Sequence, residues 1–297
     1  MNLPADLLDR LAATATRRET PMTTGNLVWH EWGAGPPLVL LHGGAGSWRH
    51  WARNIELLAR HRRVLAPDMP GLGESAPPPQ GFDLWSYARL VTEGLQHLLG
   101  PGERYHLAGF SFGGVISGHI AALDARDGTN RLRSFTLVGA GGLGLRRDPF
   151  TLTSVRSKQG EERTAAHRAN LAALMIANPA RIDALALRIQ AWNSDHSRLR
   201  SPKLVPEGAL RDAVRESTAP LNVIYGERDA IAYPYMDERV QLFAALRPET
   251  KVHVIPAAGH WVAFEAAETF NPLFSSLLEL SGGCVARSSP IGEALSG

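Results

Sequence analysis

The stretch Tyr105 to Ile120, YHLAGFSFGGVISGHI, constrains this chain more than any other. An apolar, strand-like run passes straight into Gly109-Phe110-Ser111-Phe112-Gly113, and an amphipathic helical pattern follows at once. A strand can hand over to a helix this abruptly only through a sharp, strained turn, so the positions flanking Ser111 must be nearly free of side chain. Gly109 and Gly113 meet that demand. Ser111 is thereby lifted above a sheet edge. The unpaired N–H groups and positive dipole end of the following helix lie beside it.

The rest of the chain repeats the same alternation. Short apolar runs predict strands at Leu27–Trp32, Leu38–Leu41, Arg63–Ala66, Tyr105–Ala108, Ser134–Val138, Leu221–Tyr225 and Lys251–Ile255. Apolar spacing of three and four predicts helices over Trp51–Arg60, Leu84–Leu99, Gly114–Ala125, Tyr235–Leu246 and Ala263–Leu280. Several strand runs are continuously apolar, as when both sheet faces are buried. The expected fold is α/β, a mostly parallel sheet flanked by helices. Between Gly144 and about Arg215 no strand is evident. Helical patterns around Thr164–Ala177 and Arg181–Trp192, the latter striped by Ile182, Leu185, Ile189 and Trp192, predict an inserted helical lid. The expected organisation is a helical N-terminal extension over 1–24, with Met1 to Arg18 as a short amphipathic helix. A first core part over 25–143, the lid over 144–215, a second core part over 216–281 and a flexible tail over 282–297 follow.

With 44% hydrophobic and 20% charged residues, the 297-residue chain can bury a large core, which excludes disorder and collagen-like repetition. A net charge of +2 gives no reason to expect a nucleic-acid partner. No apolar run reaches the roughly 18 residues of a membrane span. A single cysteine, Cys284, excludes an intramolecular disulfide and a cysteine-built zinc site, and suits a reducing, cytoplasmic location. A homo-oligomer stays open.

A serine hydroxyl is a weak nucleophile, so Ser111 needs a base and an orienting acid. Leu221–Tyr225 ends in Gly226-Glu227-Arg228-Asp229, and Lys251–Ile255 ends in Pro256-Ala257-Ala258-Gly259-His260. Both polar groups leave the C-terminal ends of strands, where open α/β sheets gather ligands. His260 is the expected base and Asp229 the acid that orients it. Glu227, nearer its strand, is expected at the surface. The position after Val138 reads Gly139-Ala140-Gly141-Gly142 and offers no carboxylate. His119 lies in an apolar stripe and is expected in the core. The loop His42-Gly43-Gly44-Ala45-Gly46-Ser47 lacks bulk. Gly43 or Gly44 is expected to supply one backbone oxyanion donor and Phe112 the other. That loop lacks the Gly-Lys-Ser/Thr of a phosphate-binding P-loop. His42 is expected to anchor it, and Asp68 and Glu74 of Pro67–Ser75 to be structural. No metal ligand set or organic cofactor is expected.

With these motifs the chain resembles the α/β-hydrolase superfamily from about Leu27 to Leu280: HGG at 42–44, PDMPGLGES at 67–75, GFSFGG at 109–114, YGERD at 225–229 and AGHW at 258–261. The serine at the elbow differs from the aspartate of dehalogenases and epoxide hydrolases of this fold. VGAGGLGL at 138–145 and GHWVAFEAAETFN at 259–271 are similar to the meta-cleavage-product hydrolases, which cleave a C–C bond in dienoate ketones from aromatic degradation. That resemblance implies a small, carboxylate-bearing substrate and places Trp261 in the site wall. At Phe110 those enzymes commonly carry Asn. Carboxylesterase or lactonase activity is the alternative, and a ligand-binding receptor of the same fold a further one. The interval Gly144–Arg215 holds 13 Arg plus Lys against 7 Asp plus Glu. A cationic lid would favour an anionic substrate, and Arg188, then Arg181, are the candidate carboxylate clamps. Phe110, Arg188 and Trp261 are thus the expected substrate-binding side chains.

Overall fold

All seven expected strands form, and an eighth joins them. The computed structural model describes residues 5–281; Cys284 and the expected tail lie outside the described residues. The strands are β1 (Thr16–Met22), β2 (Gly25–Trp32), β3 (Pro37–Leu41), β4 (Arg63–Asp68), β5 (Tyr105–Phe110), β6 (Leu132–Val138), β7 (Leu221–Gly226) and β8 (Val252–Ile255). They make one sheet in the order β1-β2-β4-β3-β5-β6-β7-β8. β2 is antiparallel to both β1 and β4, and β4 onward is parallel. The N-terminal extension therefore needs correction. Only α1 (Ala5–Thr14) is helical, whereas Thr16–Met22 forms the sheet's first edge. The sequence TRRETPM hides this because an edge strand with one solvated face needs little apolar content.

Strand periodicity divides the core in two. Val39, Leu41, Leu65, Leu107, Phe135, Leu137 and Val223 face one side of the sheet, while Leu38, Leu40, Val64, Ala66, Ala108, Val138 and Ile224 face the other. Tyr87 and Val91 of α3 (Leu84–Gln96) and Val115, Ile116 and Ile120 of α4 (Phe112–Arg126) cover the first face. Leu8 and Leu11 of α1, Ile55 and Leu58 of α2 (Ala52–Leu58), and C-terminal Phe270, Phe274 and Leu278 cover the second.

α4 is buried from Phe112 to Asp124 on every side, not on one stripe as its sequence pattern predicts. The cause lies in the insertion between β6 and β7. It comprises α5 (Gly160–Asn170), a π-turn at Leu171–Met175, α6 (Ala184–Asp195) and α7 (Ala209–Glu216). Leu210 and Val214 of α7 join the core cluster that holds α4, and so cover a face that the sequence leaves free. Ile182, Leu185 and Ile189 are buried in the second cluster, whereas Trp192 is half-buried and stacks on His196 at 3.8 Å. After β7, α8 (Met236–Leu246) precedes β8, and the expected single C-terminal helix divides at Ala266 into α9 (Val262–Glu265) and α10 (Ala267–Leu280). No helix among the described residues is long and apolar enough to cross a membrane.

Burial lowers the pKa of His30, His42 and His106 from near 6.5 to about 4. Between those values the unfolded chain takes up protons that the folded chain refuses, so folding stability falls as pH drops. Asp68, pushed up to about 6 by burial, works in the opposite direction over part of that window. Three histidines outweigh one carboxylate, and Tm is expected to fall between pH 6.5 and 4. The Tm deficit of His106→Gln against wild type at pH 7.5 should shrink or reverse by pH 4.5. A pH-independent deficit in thermal melts would contradict this reading.

Candidate active site

Ser111 sits between β5 and α4 at φ 52°, ψ −113°, a conformation that costs an L-residue backbone strain. Its neighbours tolerate no Cβ. One on Gly109 would stand 2.1 Å from the Gly113 carbonyl oxygen, and one on Gly113 would stand 2.5 Å from the Leu41 and His42 carbonyls. The close approach of β5, α4 and the end of β3 therefore depends on these two glycines.

His260 leaves the loop after β8, and its Nε2 lies 2.9 Å from Ser111 Oγ. Its Nδ1 lies 2.9 Å from Asp229 Oδ1, after β7. A carboxylate oxygen can only accept, so Nδ1–H donates to Asp229 and Nε2 is left to accept the Ser111 hydroxyl. Asp229 is fully buried, and its Oδ1 also accepts the Ile231 N–H at 2.9 Å. A Cβ on Gly139 would meet Asp229 Oδ2 at 3.0 Å and His260 Nδ1 at 3.2 Å. The glycine run after β6 thus makes room for the pair.

The glycine loop after β3 is anchored by two imidazoles. His42 Nδ1 donates to the Gly43 carbonyl at 2.7 Å, and its Nε2 accepts the Met69 N–H at 2.9 Å. His50 Nδ1 accepts the Gly43 N–H at 3.2 Å. Burial holds His50 well below its ordinary pKa, so the ring stays neutral and Nδ1 stays an acceptor. This removes Gly43 from the expected oxyanion donors. The Gly44 N–H meets no acceptor among the described residues. Phe112, first in α4, has no intrahelical acceptor for its N–H. The N–H groups of Gly44 and Phe112 are thus unengaged among the described residues.

Ser111, His260, Gly43, Gly44, Phe110 and Phe112 all line one cavity of about 570 Å³, whose wall is mostly apolar, as at Val115, Leu143, Phe150 and Met175, and also carries Arg147, Ser201, Glu207 and Arg239. Two expected substrate-binding residues are absent from that wall. Trp261 is buried behind it, stacked on Phe264, with Nε1–H donated to the His50 carbonyl at 2.8 Å. Its large ring has a core site and a backbone acceptor there. Arg188 lies on an exposed face of α6 and pairs with Asp9 of α1 at 2.6 Å. The helical spacing of α6 turns this side chain toward α1 and away from the cavity. Arg181 pairs with Glu268.

Other cations of the insertion tie it together or to the core. Arg163 pairs with Asp195, and Arg198 donates to the Gly73 and Ser75 carbonyls. From the core side, Arg53 holds Asp183 at 2.5 Å. Arg147 and Arg239 are the guanidinium groups in the cavity wall. Arg239 is buried on the carbonyls of Ile231, Tyr235 and Arg146.

Glu227 is exposed and accepts the Ala257 N–H, and His119 is buried on the Val115 carbonyl. Asp68 accepts the N–H groups of Trp48 and Glu74. Glu74 itself pairs with Arg17 of β1 at 3.0 Å.

Sequence reading missed Glu265. Buried at the end of α9, its carboxylate accepts three backbone N–H groups: Gly259 at 2.7 Å, Ala177 at 3.0 Å and Asn178 at 2.7 Å. The first precedes His260; the other two follow the π-turn that brings Leu174 and Met175 to the cavity. The Trp261 N–H, donated to the Met175 carbonyl at 2.7 Å, closes the same junction. The available signal was a lone carboxylate in the apolar run WVAFEA, since such a group enters a core only against matched donors.

An elbow serine, a histidine and an aspartate at the C-terminal edge of a mostly parallel sheet are the arrangement expected of the α/β-hydrolase architecture. The chain belongs to the alpha/beta hydrolase fold family, which its residues 36–267 match. It is 33% identical over 262 residues to the dihydrolipoyllysine-residue acetyltransferase component of the acetoin cleaving system of Pseudomonas putida, covering 82% of this chain and 64% of that protein. This chain thus spans less than two thirds of that relative's length. It is 28% identical over 259 residues to 2-hydroxy-6-oxononadienedioate/2-hydroxy-6-oxononatrienedioate hydrolase 2 of P. putida, covering 82% of this chain and 87% of that one. The crystal structure of naproxen esterase (carboxylesterase NP) from Bacillus subtilis superposes with a TM-score of 0.73 at 18% identity, covering 93% of this chain and 96% of that one. The last is a likeness of fold.

Two outcomes follow. Glu265→Gln puts an amide NH₂ where a backbone N–H must be accepted, and should cost about 2–4 kcal/mol of stability together with a fall in kcat. Thermal melts and initial rates check both. Arg188→Gln should leave KM for carboxylate substrates and neutral esters alike unchanged, and Tm nearly so, because an exposed pair is solvent-screened.

Proposed function

We propose that the chain is a serine hydrolase acting on a small organic substrate, with Ser111 as nucleophile, His260 as general base and acid, and Asp229 as the group that orients His260. The observation that carries this reading is the continuous chain Ser111 Oγ, His260 Nε2, His260 Nδ1, Asp229 Oδ1, at 2.9 Å for each polar contact, opening into an apolar cavity. Ser111 Oγ attacks the substrate carbonyl carbon as its proton passes to His260 Nε2. The carbonyl oxygen takes up the negative charge and receives hydrogen bonds from the N–H groups of Gly44 and Phe112, each worth roughly 100- to 1,000-fold in rate. The proton then goes from His260 to the departing carbon or oxygen. Water, activated by the same imidazole, releases the acyl group. The insertion between β6 and β7 serves as the lid, closing the cavity with Leu174 and Met175.

The preferred bond is a C–C bond beside a ketone in a dienoate carboxylate. The similarity to the oxononadienedioate hydrolase supports this over most of both chains, and Arg147 in the cavity wall provides a cation for the carboxylate. Ester or lactone cleavage is the second reading. Phe110 favours it, because its apolar ring, against which a Gly43 Cβ would lie at 3.0 Å, presents no hydrogen-bonding group to a polar dienoate.

Ser111→Ala should lose on the order of a millionfold in kcat. Wild type and this variant are to be compared on a coloured ring-fission dienoate and a short-chain aryl ester. Serine-dependent bleaching of the dienoate, faster than ester cleavage, is the expected result; ester cleavage alone would select the second reading. Undiminished turnover by Ser111→Ala would remove the nucleophile assignment.

A further inference from the structure

One buried polar residue in the cavity wall has no hydrogen-bond partner for its side chain among the described residues, and it packs against Gly44. Ser201 belongs to the insertion, at the start of a short 3-10 turn (Ser201–Lys203) between α6 and α7. The residue is buried, yet its Oγ makes no hydrogen bond to any described residue, and it faces the cavity that holds Ser111. A Cβ on Gly44 would stand 2.1 Å from Ser201 Oγ and 3.7 Å from the Phe112 Cβ. Ser201 Oγ therefore lies directly against Gly44, with Phe112 beside the same glycine, and glycine at position 44 gives the hydroxyl its space.

Ser201 Oγ opens onto the cavity with no bond to a described residue, so its hydrogen-bonding capacity is available to a bound substrate. The wall next to it already presents backbone N–H donors, which bind negative charge. A hydroxyl rotor can turn its hydrogen toward the same centre. We propose that Ser201 is a further catalytic residue, donating its hydroxyl hydrogen to the oxyanion that forms when Ser111 attacks, beside the N–H groups of Gly44 and Phe112. The assignment rests on Ser111 being the nucleophile. In that step the Ser111 Oγ–carbon bond forms, the carbonyl π electrons move onto oxygen, and the Ser111 proton goes to His260. Ser201 keeps its own proton and stabilises the charge through a hydrogen bond. Ser201 comes from the insertion, while Gly44 and Phe112 come from the core, so the third donor is present only when the insertion is seated. The fold thereby couples lid position to the chemical step.

The experiment compares wild type, Ser201→Ala, the hydroxyl-retaining Ser201→Thr, and Ser111→Ala. Steady-state kinetics use the substrate with the faster Ser111-dependent turnover, and calorimetry measures binding of phenylboronic acid, whose serine adduct carries a tetrahedral oxyanion. Melting temperatures confirm that each variant is folded. Ser201→Ala is expected to lower kcat by roughly 10- to 100-fold with KM changed by less than about threefold, and to weaken phenylboronic acid by the same factor as kcat. Ser201→Thr should restore both. A Ser201→Ala variant with wild-type kcat and wild-type boronate affinity overturns the proposal, as does a change confined to KM. Turnover that survives Ser111→Ala defeats the nucleophile reading instead. Dependence on Ser111 with indifference to Ser201 defeats only this inference.

Discussion

The absence of two β-carbons underlies the site. Gly109 and Gly113 let the end of β5, the first turn of α4 and the end of β3 approach more closely than any side chain permits. That approach does three things at once. It leaves Ser111 strained and raised above the sheet edge, brings the Phe112 N–H alongside, and sets the glycine loop after β3 against the same corner. The strain at Ser111 is held by the burial of β5 and α4 around it, since a sparsely populated backbone conformation persists only where its surroundings over-determine it.

Around that corner several buried polar groups tie one loop to the next. His50 takes the Gly43 N–H and offers its carbonyl to Trp261, so one residue ties the glycine loop to the histidine loop. Glu265 ties the histidine loop to the insertion through three backbone donors. The bonds from Trp261 to His50 and from Ala177 and Asn178 to Glu265 join elements far apart in the chain. The arginines of the insertion, by contrast, mostly make exposed pairs or cap carbonyls. Their excess of charge reflects how the insertion is fastened; Arg147 of the insertion and Arg239 of α8 are the guanidinium groups that reach the cavity wall.

The limits of the sequence reading have identifiable causes. β1 escaped because an edge strand can be polar, and α1 ends sooner than the amphipathic pattern predicts because Thr16 already pairs across to Glu31 of β2. Trp261 and Arg188 were placed by resemblance and by helical position, neither of which says where a rotamer points. Trp261 finds a carbonyl behind the wall, and Arg188 finds Asp9, a partner 179 positions earlier in the chain. The sequence leaves Gly43 and Gly44 as alternatives, and what separates them is a single bond from the Gly43 N–H to His50, for which no spacing rule exists.

Local pattern by itself determined the parallel sheet, the elbow at Ser111 and the placing of Asp229 and His260 at strand ends. These follow from period-2 burial, from glycine where no Cβ fits, and from polar residues stranded after apolar runs. Only the tertiary structure decided which N–H groups are free, which charged side chains reach the cavity, and how the insertion is locked to the histidine loop. Each of those depends on pairings that local periodicity does not specify. A hydrogen bond or an ion pair is selected by distance and direction in the folded chain, and residue order alone does not encode either.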